Sequence, residues 1–226
     1  MRFFLILITC LGLAACTEAV PSAGKSRILV MGDSMLATHQ MSGRSIGHVL
    51  ERQLGETVTD RSVYGARYIY SLPISGSLGV KIASQYRPGP WDWVVLNGGG
   101  NDLWFGCGCG RCGPRLSRLI TPDGERGHIP DLVRKLRQSG ARVIYLGYLR
   151  SPGRGSPIEH CKNEADALEG RVSLMASRDP GVTFVSIADL VPHGDASFHA
   201  PDMIHPSVKG AEAIAGRAAR VIADQR

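Results

Sequence analysis

The amino-acid sequence predicts an α/β protein in which a parallel sheet of about five strands lies between two layers of helices. Short apolar runs without polar alternation are typical of strands that are buried on both faces of a sheet. Segments with apolar residues at helical spacing separate these runs along the chain. Such alternation of strand and helix is the pattern of a parallel sheet that is covered on both faces.

The predicted strands are short and apolar. The first, residues 27–31, has an unbroken apolar run from Ile28 to Met31, which Gly32 follows. A strand buried on both faces needs such a run, because both of its surfaces contact the core. The other strands are predicted at residues 57–63, 93–96, 141–146 and 182–187.

The predicted helices follow from apolar residues that recur every three or four positions. In residues 42–54, Ile46, Val49 and Leu50 share one helical face, and Gly55 is a stop signal. Further helices are predicted over residues 129–136, 159–176 and 207–223. Two segments rich in glycine and proline, residues 106–127 and 150–157, are predicted to be long loops that border a substrate cleft.

The composition indicates one globular domain. The chain has 226 residues, of which 43% are hydrophobic and 20% charged, so it can bury one core and has no disorder signature. The formal net charge is +6, but the Lys and Arg residues are scattered. Nucleic-acid binding is therefore not expected. A mildly basic surface instead suits contact with anionic lipid or polymer.

The N-terminal residues predict export and lipid anchoring. A short apolar run over residues 3–13 follows Met1-Arg2, as in a signal peptide. The sequence Leu-Ala-Ala-Cys at residues 13–16 resembles a bacterial lipobox. We therefore expect a lipoprotein signal peptide (1–15), acylation of Cys16, a tether (16–26) and one folded domain (27–226). Such a protein would be held in the bacterial cell envelope by its lipid, facing the periplasm.

Three short fragments together contain the groups of a serine hydrolase. They are Gly-Asp-Ser at 32–34, Gly-Gly-Asn-Asp at 99–102 and Asp-Met-Ile-His at 202–205. Ser34 offers a hydroxyl nucleophile, and His205 a base that can take its proton. Asp202 can orient the imidazole, and Asn101 can donate a hydrogen bond to an oxyanion. Because the carboxyl ends of parallel strands share one edge of a sheet, we expect Ser34 and Asn101 to meet there.

This ordered set resembles the SGNH hydrolase family, also called the GDSL esterases and lipases, over most of the chain. Met35 stands where the GDSL pattern has leucine, which is a mild departure. The resemblance implies a flavodoxin-like α/β/α fold and hydrolysis of carboxylic esters through an acyl-enzyme on Ser34. Asp33 and Asp102 adjoin the reacting residues and are interpreted as structural carboxylates that accept loop N–H groups.

The resemblance also implies an oxyanion hole of three donors. These are the backbone N–H of Ser34, the backbone N–H of a glycine that follows the second strand, and the amide of Asn101. Gly65 is the predicted glycine, with Gly76 and Gly79 as alternatives. No redox or nucleotide cofactor is implied, and the substrate is a small-molecule, glycan or lipid ester.

Four cysteines remain beyond residue 16: Cys107, Cys109, Cys112 and Cys161. Their spacing is compatible with a tetrahedral zinc site. An oxidising periplasm favours two disulfides instead. The connectivity stays open at this point, and we expect one bridge from the 107–112 cluster to Cys161.

Two other functions use the same sequence features. A loop that contains His193, Asp195, His199, Asp202 and His205 could hold a metal ion for a metal-dependent hydrolase, although its spacing fits no helical metal motif. The cleft could instead belong to a non-catalytic lipoprotein that binds glycan or lipid. The complete set of catalytic groups favours the serine esterase over both.

Overall fold

A five-stranded parallel sheet forms the centre of the molecule. The computed structural model describes residues 27–153 and 155–226. The strand order is β2-β1-β3-β4-β5, and every neighbouring pair is parallel. This order is that of flavodoxin-like doubly wound sheets, as predicted. The strands are β1 (Ile28–Met31), β2 (Val58–Asp60), β3 (Trp93–Leu96), β4 (Arg142–Leu146) and β5 (Val182–Val185).

Eight α-helices accompany the sheet in the described residues: α1 (Ser34–Ala37), α2 (Ile46–Leu54), α3 (Pro73–Ser75), α4 (Gly100–Cys107), α5 (Gly113–Leu119), α6 (His128–Gln138), α7 (Lys162–Ala176) and α8 (Val208–Asp224). Serine side chains cap the starts of two helices. Ser45 accepts the N–H of His48 before α2, and Ser207 accepts the N–H of Gly210 before α8. Gly55 ends α2 in the left-handed conformation, as predicted.

The two faces of the sheet carry separate hydrophobic cores. On one face, Ile28 and Val30 of β1 pack in a cluster with residues of α2 and α8. On the other, Leu29 and Met31 pack in a cluster with residues of α4 to α7. All four residues of β1 are buried, which explains why this strand reads as an apolar run.

Several predicted boundaries were wrong: α2 begins at Ile46 and not at residue 42, and β5 ends at Val185 and not at residue 187. Two further differences have a clear cause. The second strand was expected to reach residue 63, but β2 ends at Asp60, whose carboxylate accepts the N–H and the hydroxyl of Ser62 and so turns the chain. The segment 106–127 was expected to be a loop, yet it contains the end of α4 and all of α5. The disulfide Cys107–Cys112 closes the turn between these helices.

The predicted signal peptide, the acylated Cys16 and the tether lie outside the described residues. Within the described residues, no helix has the length and apolar character that crossing a membrane requires.

Candidate active site

The carboxyl edge of the sheet gathers the polar residues that were predicted to act together. Ser34 is the first residue of α1, directly beyond β1, and Asn101 lies in the first turn of α4, beyond β3. Gly98 and Gly99 turn the chain between β3 and α4 with φ angles of 145° and 100°. Asp202 and His205 lie in the loop that precedes α8. The strand ends thus bring together residues that are far apart in sequence.

A continuous chain of hydrogen bonds joins Ser34, His205 and Asp202. The distance from Ser34 Oγ to His205 Nε2 is 2.8 Å, and His205 Nδ1 lies 2.5 Å from Asp202 Oδ2. Burial raises the pKa of Asp202, but the hydrogen bonds from the side chain and backbone of His205 and from the Ile204 N–H outweigh it, so the pKa lies below its usual value. The ionised Asp202 accepts the Nδ1 proton, and Nε2 is left to accept from Ser34.

The loop that carries Asp202 and His205 is held from two directions. Asp202 Oδ1 accepts the backbone N–H groups of Ile204 and His205, each at 3.0 Å. Met203 adopts a positive φ of 58°, and its carbonyl accepts the hydroxyl of buried Ser156 at 2.8 Å. These bonds let two side chains only three positions apart face each other outside a helix.

The turn before Ser34 requires glycine. Gly32 has a φ of 154°, and a Cβ atom there would lie 1.9 Å from Oδ1 of Asn97. That Asn97 oxygen instead accepts the N–H of Asp33 at 2.9 Å. Asp33 caps α1 by accepting the N–H of Met35, and it also accepts the Asn97 amide at 2.8 Å. Burial raises the pKa of Asp33. The Asp33 carboxylate thus has the structural role in the turn that was predicted for it.

The three groups that were predicted to form the oxyanion hole differ in their hydrogen bonds. The side-chain amide of Asn101 donates to the carbonyl of Ala66 at 3.2 Å, beside Gly65. Within residues 27–153 and 155–226, the backbone N–H groups of Ser34 and Gly65 have no hydrogen-bond acceptor. The N–H of Gly76, by contrast, is bonded to the carbonyl of Leu72. Gly79 lines a separate cavity near Gln85. Gly65 is therefore better situated than either alternative.

Asp102 holds the segment that carries Gly65. Its two carboxylate oxygens accept the backbone N–H groups of Tyr68 at 2.9 Å and Ile69 at 2.8 Å. Burial raises the pKa of Asp102, and these two bonds oppose the rise. Like Asp33, Asp102 thus has the structural role expected of it.

Tyr148, which no sequence motif indicated, connects the turn before Ser34 to the helix of Asn101. Its hydroxyl donates to the Asp33 carboxylate through a short hydrogen bond. The same hydroxyl accepts the N–H of Gly100 at 2.9 Å. Tyr148 thus joins the turn before Ser34 to the start of the helix that carries Asn101. Its position just beyond the end of β4 was the available signal, since β1 and β3 also contribute site residues at that edge.

A cavity of about 320 Å³ opens beside Ser34, Asn101 and His205. Its walls come from α4, from α7 and from the segments that follow β4 and precede α8. The apolar lining side chains are Met35, Leu103, Trp104, Leu149, Ile158, Ala165, Leu168 and Ile204. The Cys109–Cys161 disulfide also lines the cavity and links the turn after α4 to the start of α7.

Both predicted disulfides are present. Cys107 pairs with Cys112 across a sequence separation of 5, and Cys109 pairs with Cys161 across a separation of 52. The expected bridge to Cys161 therefore comes from Cys109. Among the described residues, one group of at least three His, Cys, Asp or Glu side chains has its possible ligand atoms within 4.8 Å of one another, and it consists of Cys109, His160 and Cys161. Because its sulfurs are bonded together, this group offers no thiolate to a metal.

We expect the two disulfides to contribute unequally to stability. Chain entropy predicts about 4 kcal/mol for the long Cys109–Cys161 loop and about 2 kcal/mol for the short Cys107–Cys112 loop. Urea unfolding of the paired alanine variants C109A/C161A and C107A/C112A measures the difference. Thiol titration of the denatured, unreduced protein should find none of the four thiols, and activity should survive a chelator. Four free thiols with stoichiometric zinc would contradict this prediction.

The histidine-rich loop does not converge on a ligand set. His193 borders the cavity beside Gly153, whereas Asp195 accepts the N–H of Ser197 and pairs with Lys209. His199 is buried, and burial lowers its pKa although the charges of Asp202 and Asp195 oppose this. His205 and Asp202 are bonded to each other, but no three of the five side chains bring their ligand atoms close enough to hold a metal ion.

The flavodoxin-like α/β/α fold, with the Ser34, His205 and Asp202 side chains bonded in series, is the arrangement expected of a serine hydrolase. The family model of the GDSL-like lipase/acylhydrolase family matches residues 30–213. The chain therefore belongs to this family and is an esterase. This finding confirms the resemblance that the sequence fragments indicated.

Solved structures share the fold. A protein named as an SGNH hydrolase, from Slackia heliotrinireducens, is 20% identical with a TM-score of 0.58, covering 88% of this chain and 100% of its own. A family two carbohydrate esterase from Clostridium thermocellum, in complex with cellohexaose, is 17% identical with a TM-score of 0.58. The match covers 92% of this chain and 66% of that chain. A Bacteroides fragilis protein named as an acylhydrolase is 16% identical with a TM-score of 0.62. The match covers 91% of this chain and 90% of that chain. The comparison with curated proteins found no match.

Proposed function

We propose that this esterase hydrolyses carboxylic esters through an acyl-enzyme on Ser34, with His205 as the general base and Asp202 as its orienting carboxylate. One observation carries the proposal: the unbroken chain of hydrogen bonds from Asp202 through His205 to the Ser34 hydroxyl. A binding protein would not need a base within 2.8 Å of a serine hydroxyl.

In the acylation step, Ser34 Oγ attacks the ester carbonyl carbon while its proton moves to His205 Nε2. The C–O single bond of the ester then breaks, and the proton on Nε2 passes to the departing alkoxide, which leaves as an alcohol. Asp202 stays ionised and stabilises the imidazolium that forms between the two transfers. Its lowered pKa suits this role.

In the deacylation step, water replaces the alcohol. His205 Nε2 takes one proton of the water, and the water oxygen attacks the acyl carbon. The bond from that carbon to Ser34 Oγ breaks, and Oγ recovers the proton from Nε2. The products are the carboxylic acid and the free enzyme, so no cofactor enters the balance.

The negative charge that develops on the carbonyl oxygen would be held by three donors. These are the backbone N–H groups of Ser34 and Gly65 and the side-chain amide of Asn101. Both backbone groups lack an acceptor among the described residues, and the Asn101 amide makes a long bond of 3.2 Å that an oxyanion can replace. Asp102 would keep the Gly65 segment rigid, because it holds Tyr68 and Ile69.

A phosphonate probe tests the proposed function. The purified protein should hydrolyse p-nitrophenyl esters, and stoichiometric addition of an alkyl phosphonofluoridate should stop turnover by modifying one serine. A glycan- or lipid-binding protein without catalysis would show neither turnover nor labelling. A metal-dependent hydrolase would lose activity to a chelator and keep it in the presence of the phosphonate.

Replacing Tyr148 with phenylalanine is expected to lower kcat about 10-fold and leave KM nearly unchanged. The hydroxyl joins the turn of Ser34 to the helix of Asn101, so its loss loosens their relative position without removing a binding contact. Steady-state kinetics well below the unfolding temperature measure the split between kcat and KM.

Tyr70→Phe is the matched control, because it removes a hydroxyl whose partner is Ser75, away from Ser34. An unchanged kcat in the Tyr148 variant would contradict a positioning role. An equal loss of kcat in Tyr148→Phe and Tyr70→Phe would also contradict a positioning role for Tyr148.

We also propose that the esterase is exported and anchored to the bacterial cell envelope by acyl groups on Cys16. The support is the lipobox-like sequence at residues 13–16 after a short apolar run. Intact mass of protein extracted from membranes should correspond to a chain that begins at Cys16 and carries acyl groups. Cys16→Ser should release the protein or leave the leader uncleaved. A mature form cut at another residue would contradict lipidation.

A further inference from the structure

We infer that the cavity beside Ser34 binds the acyl chain of the substrate and selects chains of about six to ten carbons over acetyl groups. The inference rests on the proposed function, since it assigns the acyl half of the ester to a particular wall of the same site. It adds the substrate class, which neither the family nor the fold determines.

The chemistry of the walls is that of a hydrocarbon site. Leu103 and Trp104 on α4 face the cavity, as do Ala165 and Leu168 on α7. The Cys109–Cys161 disulfide joins these two helices where they border the cavity, and it adds apolar surface. An acyl chain placed here removes apolar area from water on both partners.

Of the charged residues that line the cavity away from Ser34, Arg150 is paired, and Glu159 and Lys162 are exposed to solvent. Arg150 donates to Glu169 and to Asp166, each at 2.7 Å. Lys162 pairs with Asp166, and 71% of its side chain is exposed. These pairings leave no unpaired arginine in the walls to bind a carboxylate or a phosphate of the substrate.

Few polar side chains of the walls are both sheltered and free to bind a sugar ring, because His193 and Glu159 line the cavity at exposed positions. Tyr148 already donates to Asp33 and accepts from Gly100, and Asn101 belongs to the proposed oxyanion hole. Ser151 is the remaining hydroxyl outside the catalytic residues among the lining side chains of the described chain. Buried sugar hydroxyls without partners would cost free energy, whereas a hydrocarbon chain needs none.

The size of the cavity sets the expected chain length. A volume of about 320 Å³ has room for on the order of ten methylene-sized groups, if each takes about the 30 Å³ that a water molecule occupies. An acetyl group would leave most of this space unfilled. A chain of six to ten carbons would fill it.

The arrangement around His205 assigns the acyl half, and not the alcohol, to the cavity. The residues that follow Asn101 in α4 form the cavity wall, so the cavity lies next to the group that would hold the carbonyl oxygen. Beside His205, which protonates the departing alcohol, lies Tyr64 with a ring separation of 5.6 Å and 55% exposure. His205 also borders the cavity, whereas exposed Tyr64 does not line it. We therefore assign the departing alcohol and the entering water to the side of His205 that faces Tyr64.

Acyl chain length tests the inference. For p-nitrophenyl esters from C2 to C10 below their micelle concentrations, kcat/KM should rise about fourfold for each buried methylene, by at least 100-fold in total, and then level off near C8 to C10. The rise should come mainly from a lower KM, because burial stabilises the ground state and the transition state alike. Varying the alcohol of octanoyl esters should change kcat/KM much less.

Two matched substitutions on α7 test whether the preference for longer acyl chains comes from this cavity. Ala165→Phe should fill the cavity and lower the octanoyl to acetyl ratio of kcat/KM at least 10-fold, with a smaller decrease for Ala165→Val. Ala167→Phe adds the same ring at an exposed position outside the cavity and should leave the ratio unchanged. Circular dichroism checks that each variant is folded. If Ala165→Phe is unfolded, the octanoyl to acetyl ratio of Ala165→Val tests whether this wall binds the acyl chain.

A binding measurement separates this inference from the proposed function. Calorimetry with Ser34→Ala should detect octanoate more strongly than acetate, and Ala165→Phe should weaken octanoate binding. Ser34-dependent turnover with a flat or falling chain-length profile would overturn the inference and leave the proposed function standing. Failure of every ester to show Ser34-dependent turnover would overturn the proposed function, while octanoate binding would still report on the cavity.

Discussion

Replacing Ser34 with alanine is expected to lower ester hydrolysis by at least about 10⁴-fold, because the acyl group then has no atom to which it can be transferred. His205 and Asp202 would remain in position, but their proton transfer would have no hydroxyl to act on. The variant should also lose labelling by an alkyl phosphonofluoridate. Burst kinetics with p-nitrophenyl esters and intact mass spectrometry measure both effects.

A matched serine variant controls for indirect effects. Ser177→Ala removes a hydroxyl bonded to the carbonyl of Leu174 at the end of α7, outside the cavity. It should label and turn over like the unaltered protein. Peptide mapping should find the phosphonate on the peptide that contains Ser34. Modification of a different serine, or activity in Ser34→Ala within tenfold of the unaltered enzyme, would remove Ser34 from the mechanism.

Replacing Asn101 with alanine is expected to lower kcat by about 10²- to 10³-fold, the usual effect of removing one donor from a preorganised oxyanion hole. Stability should change little, because the Asn101 amide makes one long hydrogen bond, to Ala66, which is worth about 1 kcal/mol. A loss of that size lowers Tm by about 2–4 °C in a domain of this length. Steady-state kinetics and thermal unfolding measure the two effects separately.

Asn163→Ala is the control for this prediction, since Asn163 is exposed in α7 and does not line the cavity. It should leave kcat unchanged. Asn101→Asp is a stricter test, because it keeps the size of the side chain while replacing the amide donor with a carboxylate that repels an oxyanion. A loss of less than about fivefold in Asn101→Ala would remove Asn101 from the proposed hole.

Much of the fold was predictable because its signals are local. The apolar run of β1 reflects burial on both faces of the sheet, and the face of Ile46, Val49 and Leu50 reflects helical periodicity. The chemistry of the site was predictable for a related reason. A Gly-Asp-Ser turn after one strand and Asn101 after another must meet at the carboxyl edge once the strands are parallel.

Some sequence predictions failed where a side chain overrode the local pattern. Residues 57–63 look extended, but the Asp60 carboxylate bonds to Ser62 and ends the strand. The glycines of residues 106–127 suggested a loop, although helix formation there depends on packing around the Cys107–Cys112 bridge. Short-range propensity is a weak guide wherever such contacts decide the conformation.

The sequence by itself determined the order of the five strands and of four of the helices, the candidate nucleophile and base, and the presence of four cysteines able to pair. Only the tertiary structure decided that Cys109 pairs with Cys161, that the N–H of Gly76 is already bonded, and that the hydroxyl of Tyr148 joins both halves of the site. It alone also decided that α4 and α7 enclose an apolar cavity beside Ser34. These features depend on which distant segments the two cores bring into contact, and local periodicity carries no information about such pairings.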